Sequence, residues 1–577
     1  MGTLYTWKTR LVGMVGLLAV GGGGVTARGQ EAPAKPQPPL DSWLRVHAAP
    51  ATYYVDATAG DDAAAGTSPQ TAWKTLARVA KAELADGDAV LLRRGATFRE
   101  TLTPPRGGRA GWPIRFGAYG EGAPPRISGA DPVRDFAPVA AGNDATYSAD
   151  LAAEPNDVYE GETPLARQET AETVAATPGS WCWGKADKTL RVHCTDSKPP
   201  GSRIEAVVRR YGVHRNGGAD HVIVEDLRVE RVADTGIYSR DNHYWIVRRC
   251  TVRDVGLRGV MIAGNASTRT PARGCRVEQN RIERIRRYKP QAPQAAGIMA
   301  YGTDSAAIVE NHIRPVVGFG VVAHCAGQSG RGATSINDTI ARNEIVDAGE
   351  GGINVMGCEG TRVVANHIHH GKGMGIGVNY GSDRAYLANN LIHDLAESDD
   401  GTHYNGIDIN VNANHGVCVH NTVRAVGRFC FTIEDYRGLA CQRWVVANNV
   451  FDARGNVPQG AAIQVFPKVT QLTLRNNLYW APPGFPGAMR WLKGAKSFRD
   501  SLYNDMDRWS ALSGDTGSIV AEPKFVDAEA GDLRLAPNSP AIDAGTDMHV
   551  PRDIAGRPRP TGEAPDLGAW ERPADSR

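Results

Sequence analysis

The fold class that this 577-residue sequence predicts is all-β, a right-handed parallel β-helix with capping segments. Eight asparagines, each two residues before an aliphatic residue, recur at intervals of 23 to 32 residues. A second series of short segments, opened by a small residue and an aliphatic residue, lies between these triplets. The composition, with 66 Gly, 35 Pro and only 7% aromatic residues, is typical of a turn-rich β-protein.

The asparagine series predicts the corner of a repeating coil. Its intervals are too irregular for a helical solenoid, but they suit a β-solenoid whose turns absorb insertions while the strands keep their register. An asparagine at the same corner of every coil can hydrogen-bond the next asparagine and the backbone of the bend. The series is Asn280, Asn311, Asn343, Asn366, Asn390, Asn421, Asn448 and Asn476.

The second series predicts short strands. In Gly352-Ile353 and Gly375-Ile376, as in the other copies, alternation buries the aliphatic residue and the residue two further on. The residues between them then face outward. Two stacks of such strands, with coils about 4.8 Å apart, describe a parallel β-helix.

The N-terminus resembles an export signal. Lys8 and Arg10 precede an apolar run over residues 11–20, so residues 1–29 are predicted to be a signal peptide and residues 30–50 a leader or linker. The expected location is secreted or periplasmic, without membrane insertion after cleavage. Lys plus Arg (65) nearly balance Asp plus Glu (63), which argues against a nucleic-acid partner.

Cysteine usage adds two predicted disulfides. An exported protein with nine cysteines has at least one that is unpaired. Cys182 and Cys194 flank a hairpin-like stretch, and Cys325 and Cys358 end equivalent strands one coil apart. The other five are expected to be buried thiols.

Both ends of the mature chain carry family-like motifs. Residues 53–56 read Tyr-Tyr-Val-Asp, residues 86–91 read Asp-Gly-Asp-Ala-Val-Leu, and residues 535–545 read Leu-Ala-Pro-Asn-Ser-Pro-Ala-Ile-Asp-Ala-Gly. The sequence thereby resembles secreted carbohydrate-active proteins of the pectate-lyase-like right-handed β-helix superfamily. The resemblance implies an N-terminal cap with first coils at 51–129, a small β-rich insertion at 130–205, the main β-helix with a groove at 206–480 and C-terminal coils with a cap at 481–577.

The same resemblance implies polysaccharide or oligosaccharide substrates, but the superfamily includes lyases, hydrolases, epimerases and noncatalytic adhesins. Because the interior is packed, a polymer would lie across the outward residues of the second strand series. Polar and aromatic residues concentrate there in the coils from 320 to 470. The predicted substrate-binding residues are Asn354, Asn379, Asn410, Arg384, Arg437, Gln464 and Lys468.

Two carboxylates suggest a glycoside hydrolase. Asp408 and Glu434 occupy outward positions on consecutive coils, two residues apart in register, which places their α-carbons about 8 Å apart. Paired carboxyl groups roughly 5 to 5.5 Å apart suit retaining hydrolysis, and roughly 6.5 to 9.5 Å suit inversion. The strip between His324 and Glu434 contains no Lys or Arg, which favours hydrolysis over reactions on uronates.

The alternative is a polysaccharide lyase that cleaves uronate-containing polymers by β-elimination, with a His, Tyr or Lys base. Its proton-transfer candidates are His324, His403, Tyr404 and Tyr436. The hydrolase requires no cofactor, whereas a Ca²⁺-assisted lyase would use Asp408 and Glu434 as ligands. A noncatalytic binding protein or adhesin is the third alternative.

Histidines form a further short series. His369 and His393 sit at the same point of successive coils, each one residue beyond a buried Ile, and His370 adjoins them. They suggest either a metal site or a stacking ladder, and stacked surface histidines without a carboxylate partner are more often structural. No metal ligand is therefore assigned from the sequence.

Overall fold

A computed structural model describes most of the chain after the N-terminus. The described residues are 49–139, 145–265, 267–286, 295–325, 335–396, 405–424, 426–435, 438–454, 460–485, 487–492 and 502–573. The predicted signal peptide and nearly all of the leader lie outside them. None of the helices in these ranges is long and apolar enough to cross a membrane.

Three long sheets, each receiving one strand from a coil, wind into a right-handed parallel β-helix, so the predicted fold class is confirmed. The first sheet consists of Thr52–Val55, Ala89–Arg93, Ile114–Tyr119, Val222–Glu225, Ile246–Arg248, Arg276–Glu278, Ala307–Val309, Thr339–Ala341, Arg362–Val364, Tyr386–Ala388, Val417–Val419, Val445–Ala447 and Thr473–Arg475. The sequence predicted two stacks and missed this one, because most of its strands are three residues long and too short to show an alternation.

The second sheet begins directly after the asparagine corner. It consists of Thr97–Phe98, Arg126–Ser128, Arg228–Val232, Thr251–Val255, Arg281–Ile285, His312–Ile313, Glu344–Val346, His367–His369, Leu391–His393, Thr422–Arg424, Val450–Asp452, Leu478–Trp480 and Ile519–Val520.

The third sheet corresponds to the series that begins with a small residue. It consists of Tyr211–Asn216, Thr235–Arg240, Arg258–Ala263, Ala296–Tyr301, Phe319–His324, Gly351–Met356, Met374–Asn379, Asn405–Ile409, Phe429–Ile433, Ala461–Val465, Met489–Trp491 and Leu502–Tyr503. Only the last strand pairs antiparallel.

The core is a column of aliphatic side chains from all three sheets. In one coil, Val363, Ile368, Ile353 and Val355 are at most 1% exposed. Each contacts its equivalent in the coils above and below, because the sheets are parallel and in register. Burial of this continuous apolar column is the main driving force for the fold.

The asparagine ladder runs along the corner between the first and second sheets. The Asn366 side chain accepts hydrogen bonds from the backbone N and Nδ2 of Asn343, and its own Nδ2 donates to Ile340 O and Asn390 Oδ1 at 2.9 and 3.0 Å. The pattern repeats from Asn280 to Asn477 and ends on Ser518 Oγ. The predicted ladder is confirmed for its first six members.

The last two predicted members are wrong by one residue. Asn449 and Asn477 complete the ladder. Asn448 and Asn476 adopt positive φ, and their side chains instead bind the C-terminal segment at Thr546 and Ala544. A shift of one residue turns a side chain to the opposite face of a strand, so the neighbouring asparagine takes the inward place.

The small residues that open the third-sheet strands are required by a close approach. A Cβ on Gly352 would lie 2.5 Å from Ile368 Cγ2 and 2.6 Å from the carbonyl oxygen of Gly375. Because two sheets meet at this sharp corner, the second-sheet aliphatic fills the space that a side chain would need.

An antiparallel insertion interrupts the coils between 130 and 207. One of its sheets contains Ala130–Pro132, Val158–Glu160, Thr163–Pro164 and Ile204–Val207, and the other contains Ala137–Pro138, Thr146–Asp150, Ala166–Arg167, Ser180–Gly184 and Thr189–His193. It has its own small core around Trp181, Leu190 and Val192.

The remaining elements are short. The helices are Leu76–Val79, Ala171–Ala176 and Met506–Ser513, with a 3-10 turn at Pro69–Thr71. Ala272–Arg273 pairs with Thr303–Asp304, and Phe525–Asp527 forms a hairpin with Asp532–Leu535. The C-terminal segment packs Ala541 and Leu567 onto Val450 and Leu478 of the β-helix.

Both predicted disulfides are wrong, because the nine cysteines, all within the described residues, are present as buried thiols. In the insertion hairpin, Cys182 pairs with Arg191 rather than with a cysteine, and Cys194 lies beyond the last paired residue. Burial raises the pKa of Cys194 to about 12 and leaves it an unreactive thiol.

We expect Asn366→Ala to lower the free energy of unfolding by about 3 kcal/mol, since each buried group left without a partner costs roughly 1 to 3 kcal/mol. Urea denaturation followed by circular dichroism measures the change. Asn216→Ala, at an exposed asparagine of the third sheet, serves as the matched control and should change stability by less than about 0.5 kcal/mol. Equal effects of the two substitutions would contradict the ladder's role.

Candidate active site

The candidate site lies on the outer face of the third sheet. Two rows of outward residues run along it, one on each side of a buried aliphatic row. The first row is Tyr238, Met261, Met299, Val322, Asn354, Gly377, Asp408, Thr432, Gln464 and Arg490. The second row is Arg240, Ala263, Tyr301, His324, Met356 and Asn379, and Asn410 and Glu434 continue it.

Asp408 and Glu434 occupy the predicted positions. Asp408 lies in the strand Asn405–Ile409 and pairs with Thr432 of the next coil. Glu434 follows two residues later, directly after that strand, and its backbone N–H donates to Ile409 O at 2.8 Å. One strand spacing and two residue rises separate the α-carbons by about 8 Å, so the two carboxyl groups can flank one glycosidic bond.

Burial makes both carboxyl groups weak acids. It raises the pKa of Asp408 to about 6, although hydrogen bonds from Asn410 and Asn405 lower it. Burial, followed by repulsion from Asp408 and Asp435, raises the pKa of Glu434 to about 8, against a lowering hydrogen bond from Thr432. Near pH 7 the two carboxyl groups therefore share about one proton.

Several buried polar atoms along the third sheet have no hydrogen-bond partner in the described structure. They are Asp408 Oδ1, Asn405 Oδ1, Asn379 Oδ1 and His324 Nδ1. All four lie on the outer face of the third sheet. Buried polar groups are normally paired, and a cluster of exceptions on one face indicates a surface that a polar ligand completes.

Two amides hold fixed orientations beside the carboxylates. Asn379 Nδ2 donates to Asn354 Oδ1 at 3.0 Å, which aims the unpaired Oδ1 of Asn379 away from its neighbour. Past Asp408, Thr432 lies one coil and Gln464 two coils away, and Gln464 Nε2 donates to Thr432 Oγ1 at 3.3 Å. Such fixed acceptors suit sugar hydroxyl groups, and Asn354, Asn379, Asn410 and Gln464 all belong to the predicted strip.

His324 lies in the strip but not beside the pair. Its ring stacks on Tyr301 with a centroid distance of 5.1 Å, and burial lowers the pKa of the imidazole. Four strand spacings, roughly 19 Å, separate its coil from that of Glu434. The role of His324 in proton transfer, which belongs to the lyase alternative, therefore stays a prediction, and its position suits contact with a sugar farther along the strip.

Two predicted cations lie off the outer rows. Arg384 lies on the turn before the first-sheet strand Tyr386–Ala388, where it pairs with Glu359 and Asp383, and its contact with substrate stays a prediction. Lys468 lies beyond the end of its strand, is exposed, and its backbone N–H donates to Asp435 Oδ2 at 3.0 Å.

Four predicted residues, His403, Tyr404, Tyr436 and Arg437, lie outside the described residues. Their assigned roles remain predictions. Among the described histidines, cysteines and carboxylates, the one cluster with metal-ligand spacing is His367, His369 and His393 on the second sheet, not the carboxylates of the strip. A Ca²⁺ requirement likewise remains a prediction.

The sequence missed Asn405 and the aromatic group next to it. Simple alternation from Ile407 places Asn405 inside, but the bend at Gly406 resets the alternation and turns the amide towards Asp408. Phe429 pairs with Asn405, and the guanidinium groups of Arg428 and Arg490 lie 5.5 and 5.8 Å from its ring centroid. A signal for this was available in the small residue at the second position of most third-sheet strands, such as Gly375 and Gly406.

A cavity of about 180 Å³ lies elsewhere, between the insertion and the β-helix. It is lined in part by Asp157, Trp181, Asp254 and Arg286, and by none of the predicted site residues. An open strip along a solenoid is shallow, so this cavity does not mark the position of the carboxylate pair.

The raised pKa values predict a pH-dependent stability. At pH values between the unfolded pKa values near 4 and the raised pKa values of the folded state, the folded chain binds more protons than the unfolded chain. The free energy of unfolding therefore falls as pH rises through this range. Glu434→Gln removes a buried ionisable group. Relative to wild type, the variant should be nearly unchanged at pH 4.5 and more stable at pH 8.

Thermal unfolding at the two pH values measures this difference. Glu121→Gln, at an exposed glutamate, is the control and should shift the melting temperature equally at both values. A variant Glu434→Gln that loses stability at pH 8 would show that the Glu434 carboxylate is stabilised, rather than strained, by its surroundings.

Comparison with known proteins agrees with this architecture. Residues 201–313 and 296–479 match the family described as right handed beta helix region. Over 74 residues the chain is 42% identical to a lacto-N-biosidase of Bifidobacterium longum subsp. longum, a match that covers 12% of this chain and only 5% of that relative.

The XylC structure shares the fold at low sequence identity. The complex of XylC with xylose matches with a TM-score of 0.61 at 12% identity, over 90% of this chain and 99% of the other. Pectate lyase Pel9A matches with a TM-score of 0.39 at 13% identity, over 92% and 99%. With its three stacked sheets and the matched family segments, the chain is a right-handed parallel β-helix protein.

Proposed function

We propose that the protein is a glycoside hydrolase that cleaves a polysaccharide or oligosaccharide lying along the third sheet. The observation that carries the proposal is the buried pair Asp408 and Glu434, with both pKa values raised and that of Glu434 raised further. Two carboxyl groups that share a site but hold their protons differently are the requirement of glycosidic bond hydrolysis.

Each carboxyl group has a defined role. Glu434 is protonated near pH 7 and donates its proton to the glycosidic oxygen as the bond to the anomeric carbon breaks. Asp408 is ionised and lies one coil away, where it either attacks the anomeric carbon or activates a water molecule on the opposite face of the sugar. Asn405 and Asn410 hydrogen-bond the Asp408 carboxylate and hold it in place.

The surroundings support a sugar substrate. The unpaired Oδ1 atoms of Asn379 and Asn405 can accept hydrogen bonds from hydroxyl groups, and His324 and Tyr301 provide a stacked surface farther along the strip. The protein XylC, which has the same fold, was solved with xylose. The short segment shared with a lacto-N-biosidase is also consistent with action on a glycosidic bond.

One observation favours a uronate lyase as the second candidate. Arg428 and Arg490 flank Phe429, next to Asn405, and two guanidinium groups at the end of the strip can attract a uronate carboxylate. Elimination also needs a base at the sugar C5 proton. In the described strip the available base is Asp408, the same carboxylate that the hydrolase uses, so the products decide between the two reactions.

We expect Glu434→Gln and Asp408→Asn each to lower kcat at least about 100-fold, because each removes a group that acts only in the transition state. The two should differ on an aryl glycoside with a strongly acidic leaving group. The bond-breaking step of such a substrate needs no proton from Glu434, so Glu434→Gln should retain most of its kcat/KM on it, whereas Asp408→Asn should not. Initial rates on paired activated and unactivated substrates measure the difference.

Glu359→Gln is the matched control, since Glu359 pairs with Arg384 on a turn away from the strip. It should retain wild-type rates. Reducing ends and absorbance of unsaturated uronates are followed together. Cleavage accompanied by that absorbance, or cleavage that survives both active-site substitutions, would overturn the proposal.

The pKa values also predict a bell-shaped pH profile for kcat/KM. Activity should fall below about pH 6 as Asp408 is protonated, and above about pH 8 as Glu434 loses its proton. In Glu434→Gln the alkaline limb should disappear when the activated substrate is used. A profile whose alkaline limb is unchanged in that variant would assign the acid to another residue.

A further inference from the structure

A second polar cluster lies on the outer face of the second sheet, independent of the proposed hydrolase site. His367 and His369 flank the inward Ile368 on one strand, so both rings face outward. His393 is the partner of His369 on the next strand. Three imidazoles from two adjacent coils therefore meet on one surface.

The ring nitrogens converge. His367 Nε2 lies 2.8 Å from His393 Nε2, and one nitrogen from each of the three rings lies within 4.8 Å of the others. His369 also stacks on His393 with a centroid distance of 5.2 Å. Stacking alone brings ring faces together, whereas here the nitrogen edges also point to a common position.

Neighbouring groups favour the tautomers that a metal requires. His393 Nδ1 lies 2.7 Å from Asp394 Oδ2, so it carries the proton, donates it to the carboxylate and leaves the lone pair on Nε2. His369 Nδ1 lies 2.6 Å from His370 Nδ1, which provides an acceptor for the same arrangement. A carboxylate behind a metal-binding histidine is a recurrent feature of zinc sites.

The second ring nitrogen of His369 lies near a carboxylate. His369 Nε2 is buried and has no hydrogen-bond partner, and it lies 3.5 Å from Glu344 Oε1. The other carboxylate oxygen of Glu344 is held by His312 Nδ1 at 2.7 Å. Glu344 pairs with His367 in the sheet, so its carboxylate sits one coil before the histidines and can supply a fourth ligand.

Burial also keeps the three rings neutral. Desolvation lowers the pKa of His369 and of His393, and it lowers the pKa of His367 to about 3. Neutral imidazoles retain the lone pair that a metal ion needs.

We propose that His367, His369 and His393 bind one divalent transition-metal ion, for which Zn²⁺ is the best match, with Glu344 beside it. A tetrahedral Zn²⁺ with Zn–N distances of about 2.0 Å holds its nitrogens roughly 3.3 Å apart, between the closest and widest spacings found here. Small ring rotations suffice to reach this geometry.

The bound ion would cross-link successive coils. Glu344, His367 and His393 belong to three consecutive strands of the second sheet. The C-terminal hairpin also reaches this point, since a Cβ on Gly531 would lie 3.2 Å from His393 Cε1. An ion that binds the folded state and not the unfolded state raises the free energy of unfolding. The metal would therefore stabilise the contact between successive coils.

Titration of the untagged full-length chain with Co²⁺ tests the proposal, because tetrahedral Co²⁺ bound to imidazoles absorbs strongly in the visible range. We expect one Co²⁺ per chain, displaced by one Zn²⁺, and a rise in melting temperature with Zn²⁺. His369→Gln should weaken binding at least about 100-fold, and Asp394→Asn about 10- to 100-fold.

The matched control is His415→Gln, since His415 pairs with Asp383 on a different part of the coil. It should leave the affinity unchanged. Cu²⁺ electron paramagnetic resonance on the wild-type chain counts the coordinated imidazoles and does not depend on any variant folding. Absence of stoichiometric binding, fewer than two coordinated imidazoles, or affinity that survives His369→Gln would overturn the proposal.

Discussion

The hydrogen-bonded asparagine ladder is the constraint on which the other features of the β-helix depend. Each side chain ties its own corner to the next, through bonds of 2.9 to 3.0 Å in the coils around Asn366. This fixes the register of the second sheet and, through the short corner that follows, of the third. Because a slip of one residue would turn every outward residue inward, the position of Asp408 relative to Glu434 depends on this ladder.

The carboxylate pair derives its chemistry from burial that costs stability. An ionisable group held away from water is destabilising unless it is paired, and Asp408 Oδ1 has no hydrogen-bond partner. Native proteins retain such groups mainly where function requires them. The regular core of Ile, Val and Leu provides the stability that allows two weakened acids to persist on its surface.

The sequence predicted the elements that repeat. Asn366 belongs to a series that recurs because each coil needs the same corner hydrogen bonds. Gly352 belongs to a series that recurs because each coil has the same close approach between sheets. The same periodicity placed Asp408 and Glu434 on adjacent coils of one face. The prediction from periodicity was wrong where two adjacent asparagines, Asn448 and Asn449, could both occupy the ladder position. It also missed strands such as Arg362–Val364, which are too short to show alternation.

Features that depend on side-chain conformation were less accessible. Nothing in the spacing of Arg384 shows that Glu359 binds it, and a residue count does not reveal that Gly406 turns Asn405 outward. The histidine series was predicted to be structural for want of a carboxylate partner. Asp394 adjoins His393 in the chain, yet its role follows only from the ring orientation.

The mass balance of the cleavage reaction distinguishes hydrolysis from elimination. Defined oligosaccharides, both neutral and uronate-containing, are incubated with the wild-type chain in water enriched in ¹⁸O, and the products are analysed by mass spectrometry. Hydrolysis by Asp408 and Glu434 predicts products whose summed mass equals that of the substrate plus one water, with the heavy oxygen in one product. Products that sum to the substrate alone, without ¹⁸O, would show elimination and contradict the account.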